Sequence, residues 1–248
     1  MVFSSLLFLF RFLPIVLLAY YILPKKCRNF VLFLSSLVFY AWGEPVYVVL
    51  ILLSTCVDYA AGLAVHYFKE KGKMSGAKVM VACSAVINLA LLGFFKYAGF
   101  FLQIVHQLTG LAMPELHLAL PIGISFYTFQ ALGYVIDVYR QQVKAEKNFI
   151  RYALFVSFFP QLVAGPIERS GHLLSQIEEI SRKPSWNFDK VTRGLLMMLW
   201  GYFMKLVIAD RAAALVDTVF PIYYMFDGVA LVLTMIMFGF QLYCDFAS

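Results

Sequence analysis

The stretch FFPQLVAGPIERS, from Phe158 to Ser170, breaks one of the most apolar parts of the chain. It contains two prolines, a glutamine, a glycine and a Glu-Arg pair. Proline removes a backbone donor and clashes with the preceding helical turn, and hydrocarbon offers no water to satisfy the freed backbone groups. Broken backbone is tolerated at membrane depth where protein buries it or where it lines a water-filled cavity. The stretch therefore predicts a cavity wall, with an ordinary Pro-kinked span as the alternative.

The composition around this stretch is that of an integral membrane protein. The 248 residues are 62% apolar and only 14% charged, whereas soluble domains are about 25% charged. Apolar runs without a long polar block predict a single membrane domain over residues 1–248, an all-α polytopic transmembrane helix bundle with a re-entrant segment broken by Pro and Gly. The net charge of +6 does not predict a nucleic-acid partner, because the Lys and Arg residues lie mostly in short loops between apolar runs. No metal site and no bound cofactor are predicted, since the cysteines lack paired spacing.

The apolar runs predict where the chain crosses the membrane, since a span needs about 20 apolar residues. The predicted spans are Ser4–Leu23, Phe30–Trp42, Val46–Phe68, Val79–Ile104, Leu118–Tyr139, Gly194–Val216 and Gly228–Ala247. Alternate loops are basic: Lys25–Arg28 carries three positive residues, and Lys69–Lys78 and Arg140–Arg151 carry four each. Gly43–Pro45 and His106–His117 contain no Lys or Arg. By the positive-inside rule, the N-terminus lies outside.

The same rule tests the broken segment, Phe149–Ile167. If it crossed fully, the basic loop Glu168–Lys190 would lie outside, against the rule. A re-entrant segment over 149–167 reverses the assignment and obeys it. The following residues, 171–190, predict an interfacial helix, because apolar side chains share one helical face opposite charged ones.

Polar side chains inside the spans form stripes at helical spacing, and intramembrane ionisable residues by default face protein or water. The stripes are Tyr127, Gln130, Tyr134 and Asp137; Thr234, Gln241 and Asp245; and Ser54, Asp58 and Gly62. The alternative for Asp58 is that it only bonds to neighbouring helices, and for Asp137 that it pairs with Arg140. The four histidines are predicted to be loop or interfacial residues: His66, His106, His117 and His172.

Five stretches, in order along the chain, resemble the membrane-bound O-acyltransferase (MBOAT) family. They are SLVFYAWGEPVYVVLILLSTCVDYAAG, GFFKYAGFF, LPIGISFYTFQALGYVIDVYR, FFPQLVAGPIERS and FQLYCDFAS. The chain is most similar to the bacterial branch with the alginate O-acetyltransferase membrane component and the D-alanyl transfer protein of teichoic acid modification, and it looks like an N-terminal half.

The resemblance implies a bundle with a tunnel through which an acyl group passes from the cytoplasmic side to an acceptor hydroxyl outside. The implied acyl donor is acetyl-CoA or an acyl carrier, and the implied acceptor is an extracytoplasmic polysaccharide or cell-wall polymer. The resemblance also implies a secreted partner acyltransferase and a location in the bacterial inner membrane. The implied tunnel-lining residues are Ser125, Phe126, Gln130, Tyr134, Gln161, Gly165, Pro166, Arg169, Gln241, Tyr243 and Asp245.

The resemblance also implies a histidine as general base, following a tryptophan in a later stretch than Ser248. None of the four histidines matches that position, so no catalytic residue is assigned and the chain is expected to be inactive alone. A transporter or channel, and a non-catalytic membrane scaffold for a secreted acyltransferase, are the alternative functions. A transporter built of inverted repeats would be expected to repeat the Pro-Gly break, and the chain does not.

Overall fold

The fold is helical throughout the residues that the computed structural model describes, namely 3–109, 120–162, 168–180 and 187–248. No β-strand occurs in these ranges, which confirms the predicted all-α class. The elements are a π-helical turn Phe8–Phe12 that continues into α1 (Leu13–Ile22), a 3-10 turn Lys25–Cys27, α2 (Arg28–Gly43), α3 (Val48–Glu70), α4 (Met74–Thr109), α5 (Ile124–Tyr139), α6 (Phe149–Ser157), α7 (Phe159–Leu162), α8 (Ser170–Ile180), α9 (Phe188–Tyr202), a π-helical segment Phe203–Ala209, α10 (Asp210–Val219), a 3-10 segment Phe220–Met225 and α11 (Gly228–Ala247).

Several of these helices are long and apolar enough to cross a membrane. Within the described residues they are Val48–Glu70, Met74–Leu108, the combined helix Phe188–Met225, and Gly228–Ala247. The predicted span Gly228–Ala247 coincides with one of them, and the predicted spans Val79–Ile104 and Gly194–Val216 lie inside two others. The predicted span Val46–Phe68 overlaps Val48–Glu70 but begins two residues too early. The predicted span Phe30–Trp42 lies within the shorter α2, and α5 begins at Ile124, while residues 118 and 119 of its predicted span lie outside the described residues.

The described chain divides into two compact units, Ile15–Lys183 and Val2–Pro14 with Pro184–Ser248. In the first unit, α3 packs against both α4 and α5. α3 and α5 approach closely at Gly62, where an added Cβ would lie 2.7 Å from Cε1 of Tyr134. A glycine at this position lets the Tyr134 ring press against the α3 backbone, so the predicted Ser54, Asp58 and Gly62 stripe faces the protein interior.

An aromatic core joins α5 to α6. The ring centroids of Tyr134 and Tyr152 are 4.7 Å apart, and Phe155 lies 6.1 Å from both. All three side chains are fully buried. The short α6 is therefore held inside the first unit rather than on its surface.

The predicted interfacial helix is shorter than residues 171–190. α8 ends at Ile180, residues 181–186 lie outside the described ones, and Asn187 already caps α9. Its predicted apolar face exists, but Leu173, Leu174 and Ile177 are buried against protein, because α8 packs on α6, α5 and α2. The charged face remains on the outside.

The second unit is less compact. In the most apolar 18 residues of Phe188–Met225, only 6% of the residues are buried inside the protein. The corresponding share is 11% for α11 and 39% for α3. Its small core contains Met204, Ala209 and Cys244. Large exposed apolar side chains cover α9 and α11, as expected of helices that face lipid or further protein.

Candidate functional site

The broken segment is held by neighbouring helices. α6 ends at Ser157, Phe158 leaves the helical conformation with φ −55° and ψ 113°, and a single turn, α7, follows. The freed N–H of Phe159 donates to Oγ of Ser36 on α2, at 3.2 Å, and that hydroxyl in turn donates to the carbonyl of Leu32 at 2.8 Å. Protein therefore satisfies the backbone that the Pro-containing break exposes, as the membrane argument requires.

The start of α5 lies against the same break. Gly123, which precedes the helix, has φ +76°, and a Cβ there would lie 2.5 Å from the carbonyl oxygen of Leu162. Only glycine fits, both because the conformation is left-handed and because the two backbones are in contact. The stretch LPIGISF and the broken segment therefore meet in the fold, although the contacting residues Gly123 and Leu162 are 39 positions apart in the chain.

Two of the predicted tunnel residues on α5 hold other segments in place. Gln130 is buried, and its Nε2 donates to the carbonyl of Phe155 at 2.7 Å. The hydroxyl of Tyr134 accepts the backbone N–H of Glu146 at 2.8 Å. Asp137, the last member of the stripe, accepts a hydrogen bond from Ser170 rather than pairing with Arg140.

Gln161 is different, because its side-chain amide nitrogen is buried and unpaired. The side chain is 8% exposed, and its Nε2 has no hydrogen-bond partner among the described residues. The hydroxyls of Tyr40 and Tyr127, which lie within electrostatic range of each other, are likewise buried and unpaired there. Buried polar groups are nearly always paired, so such atoms indicate where water or a ligand lies. The first unit therefore contains a polar interior, with unpaired atoms on α7, on α2, which packs on α7, and on α5, whose start contacts Leu162.

The other predicted residues of this unit are less enclosed. Ser125 and Phe126 are half-buried on α5, and Arg169 is exposed just before α8. Gly165 and Pro166 lie outside the described residues. The structure thus brings Gln130, Tyr134 and Gln161 into the interior, and the tunnel-lining role of the whole set stays a prediction.

In the second unit, the predicted residues on α11 meet a lysine that sequence reasoning missed. Asp245 accepts a hydrogen bond from Nζ of Lys205, which also lies 3.2 Å from Asp210. Gln241 is half-buried with an unpaired Oε1, and Tyr243 is 69% exposed. Lys205 belongs to the π-helical segment, a distortion that often marks functional sites. An ionisable residue in the apolar run YFMKLVIA could have been noticed, but its partner could not.

A polar cleft of about 580 Å³ opens in the first unit beside the loop that joins α5 to α6. Arg151 lies in its wall between Glu146 and Glu178, at 3.9 and 3.8 Å, and also lines a smaller cavity of about 180 Å³. His66 lines the cleft as well and lies 3.2 Å from Glu70. Sequence reasoning used these charges only for orientation and did not predict a cleft.

In the part of the chain that the structure describes, neither His66 nor His172 is paired with a nucleophilic side chain. His172 is exposed on α8 between Glu168, 3.2 Å from its Nδ1, and Gln176, 3.1 Å from its Nε2. His106 is exposed on α4, and His117 lies outside the described residues. The described part of the chain holds no group of three or more His, Cys, Asp or Glu side chains placed to bind a metal ion.

Comparison with known proteins gives this architecture a family. A model of the membrane-bound O-acyltransferase family matches residues 140–248. Over its whole length the chain is 37% identical to the probable alginate O-acetylase AlgI of Pseudomonas aeruginosa, covering 47% of that protein. It is 32% identical to the peptidoglycan O-acetyltransferase of Helicobacter pylori, covering 52% of it. A teichoic acid D-alanyltransferase of Lacticaseibacillus rhamnosus is 24% identical over 35% of the chain.

The chain thus spans about half the length of the curated relatives that it matches from end to end. The family model covers the loop after α5, the broken segment and everything up to α11. The resemblance predicted from five short stretches is confirmed, and the chain belongs to the membrane-bound O-acyltransferase family.

Proposed function

We propose that this chain forms part of a membrane enzyme that transfers an acyl group, in the first place acetyl, to hydroxyls of an extracytoplasmic polysaccharide or cell-wall polymer. The relatives named as alginate O-acetylase and peptidoglycan O-acetyltransferase support this class of reaction. Both names describe O-acetylation of a carbohydrate polymer. A channel or transporter finds no comparable support.

The observation that carries the proposal is the unused donor of Gln161 beside the broken helix. Acyl transfer to an alcohol builds negative charge on the carbonyl oxygen, and a donor fixed in a site with little water stabilises that charge. Since Nε2 of Gln161 has no partner among the described residues and is buried, it is available for such a bond. Gln130 and Tyr134 give the site rigidity, because their polar atoms are already bound to backbone.

An alcohol also needs a base that removes its proton, since it is a poor nucleophile at neutral pH. No described histidine lies in the polar interior beside Gln161, so the described residues are assigned to binding and charge stabilisation only. The assignment of Arg169 to the same wall is part of the proposal.

The proposal includes the direction of transfer. The donor, acetyl-CoA or an acyl carrier, approaches from the cytoplasmic side of the bacterial inner membrane, and the N-terminus lies outside. The acceptor polymer and a secreted partner acyltransferase lie on the outer side. The distribution of basic loops supports this orientation.

The proposal is tested with inverted membrane vesicles that contain the whole protein. Acetyl-CoA with a labelled acetyl group is added to the exposed cytoplasmic face, with alginate or peptidoglycan fragments enclosed in the vesicles. We expect label to appear as base-labile esters on the enclosed polymer. If label stayed on the cytoplasmic face, which is the outside of an inverted vesicle, and never reached the enclosed polymer with any donor or acceptor tried, the proposed transfer would be contradicted.

A further inference from the structure

A closed polar cluster ties α3 to α4. It consists of Ser54 and Asp58 on α3 and Ser84 and Asn88 on α4, all at most 2% exposed. Asp58 itself is completely buried within a helix long and apolar enough to span a membrane. The cluster therefore holds a carboxyl group where water does not reach it.

The hydrogen bonds of the cluster are almost fully determined. Oδ1 of Asp58 accepts from Oγ of Ser84 at 2.6 Å and from Nδ2 of Asn88 at 2.8 Å. The second N–H of Asn88 donates to the carbonyl of Ser84 at 2.9 Å, and its Oδ1 accepts from Ser54 at 3.1 Å. Every described donor in the cluster is then used, while Oδ2 of Asp58 has no partner.

No positive charge compensates the carboxyl group. In the described ranges Asp58 forms no ion pair with Lys, Arg or His. On α4 the cations nearest to the cluster are Lys78 and Lys96, six and eight residues from its members, or about 9 and 12 Å along the axis. His66, further along α3, lies beside Glu70 instead.

α2, α5 and α6 also pack on α3 and do not supply a cation either. The one Lys or Arg of α2 is Arg28, at its first residue, and its guanidinium lies over the Tyr20 ring. The group of α6 in electrostatic range is the hydroxyl of Tyr152, which is fully buried and itself unpaired. Arg151 on the same helix lies between two glutamates, and the hydroxyl of Tyr134 on α5 is bound to backbone. An isolated buried carboxylate is costly enough that such a group takes up a proton instead.

We propose that Asp58 is a buried proton-binding site: its carboxyl group is a neutral acid with the proton on Oδ2, and this proton completes the set of hydrogen bonds in which the side chains of α3 and α4 are joined. In a neutral acid one oxygen accepts hydrogen bonds and the other donates. Oδ1 accepts two bonds here, and Oδ2 accepts none. A hydronium ion of the solvent supplies the proton when the helix pair folds: one of its O–H bonds breaks and leaves water, and the O–H bond on Oδ2 forms.

We assign the oxygen of Ser54, one helical turn earlier on α3, as the acceptor for the new O–H; the carboxyl group must turn to reach it, because Oδ2 has no partner in the described structure. Ser54 interacts with the Asp58 carboxyl, yet its own hydrogen is donated to Asn88. Its oxygen can therefore only accept towards Asp58. With the proton in place, the four side chains form one continuous set of hydrogen bonds.

Infrared difference spectroscopy of the purified protein in lipid nanodiscs tests the site at neutral pH. The wild-type spectrum minus that of Asp58→Asn should contain the C=O stretch of a protonated carboxylic acid, shifted in D₂O. Asp58→Asn should keep the wild-type melting temperature, because an amide oxygen accepts the same two bonds and an amide N–H replaces the O–H. Asp58→Leu should lower it, because both bonds and the link to Ser54 are lost.

The matched control is Asp189→Asn, an exposed aspartate at the start of α9, whose difference spectrum should contain carboxylate bands only. Ser54→Ala should shift the acid band without abolishing it, since only its acceptor is removed. Carboxylate bands alone in the Asp58 difference spectrum would overturn the proposal. A second result would also overturn it: a wild-type melting temperature that is higher in sodium chloride than in choline chloride, with no such difference in Asp58→Asn. The carboxyl group would then be ionised and hold a cation.

Discussion

Replacing Gly62 by alanine tests how closely α3 and α5 are packed. The added Cβ would lie 2.7 Å from Cε1 of Tyr134, 3.3 Å from its hydroxyl oxygen and 3.4 Å from Cζ. The ring cannot move aside easily, because it is fully buried, its centroid lies 4.7 Å from that of the tilted Tyr152 ring, and its hydroxyl binds the N–H of Glu146. Something in the core must therefore shift.

The expected magnitude is the difference of two terms. Overpacking a core costs about 1–3 kcal/mol. The cost should lie towards the upper end, because a shift of the Tyr134 ring would also strain its hydrogen bond to Glu146. Replacing glycine by alanine inside a helix stabilises by about 1 kcal/mol. Gly62→Ala should then destabilise the protein by about 1–2 kcal/mol, which corresponds to a melting temperature lower by roughly 2–8 °C.

The assay is thermal unfolding of the purified protein in one detergent, with Gly93→Ala and Gly133→Ala as matched controls. Both glycines are helical, and neither has any atom within 4 Å of an added Cβ. The controls should keep or raise the melting temperature. If Gly62→Ala raised it as the controls do, the close contact between Gly62 and Tyr134 would be wrong.

Two further predictions concern the broken segment. Ser36→Ala should destabilise the protein by about 1–3 kcal/mol, because the buried N–H of Phe159 loses its acceptor. Ser35→Ala, at a half-buried neighbouring position, is the control and should have little effect. Equal melting temperatures of the two variants would show that the break does not depend on Ser36. In a cysteine-free background, Ser175→Cys should resist an impermeant maleimide in intact cells and Asp217→Cys should react, because a re-entrant segment leaves 168–190 inside and 209–227 outside. The reverse pattern would mean that residues 149–167 cross the membrane.

The features that could be predicted from sequence are those set by local pattern. α11 coincides with its predicted span, and the spacing of Ser54, Asp58 and Gly62 correctly indicated an inward face. Asp58 does bond to a neighbouring helix, as the alternative interpretation expected. A span and a stripe depend on hydrophobicity and on the helical period, which a single sequence carries.

The features that could not be predicted depend on contacts between distant segments. No local pattern around Asp137 indicates that its hydrogen-bond partner is Ser170, 33 residues later, rather than Arg140, three residues later. Lys205 pairs with Asp245 from a π-helical segment, and neither the segment nor the pairing has a local sequence signature. The apolar face of α8 was predicted correctly, but only the packing of α6 and α2 reveals that protein and not lipid covers it.

The central claim is that Gln161 and Arg169 lie in the wall of the acyl-transfer site, and its most direct test is the acetyl-transfer rate of single variants of the whole protein at matched membrane levels. Gln161→Leu keeps the side-chain volume close and removes the buried donor, so transfer should fall by about 10²–10³-fold, as when one oxyanion donor is lost. Arg169→Ala should also lower transfer. Gln142→Leu, at an exposed position after α5, should retain the wild-type rate. Wild-type transfer by both Gln161→Leu and Arg169→Ala would contradict the claim.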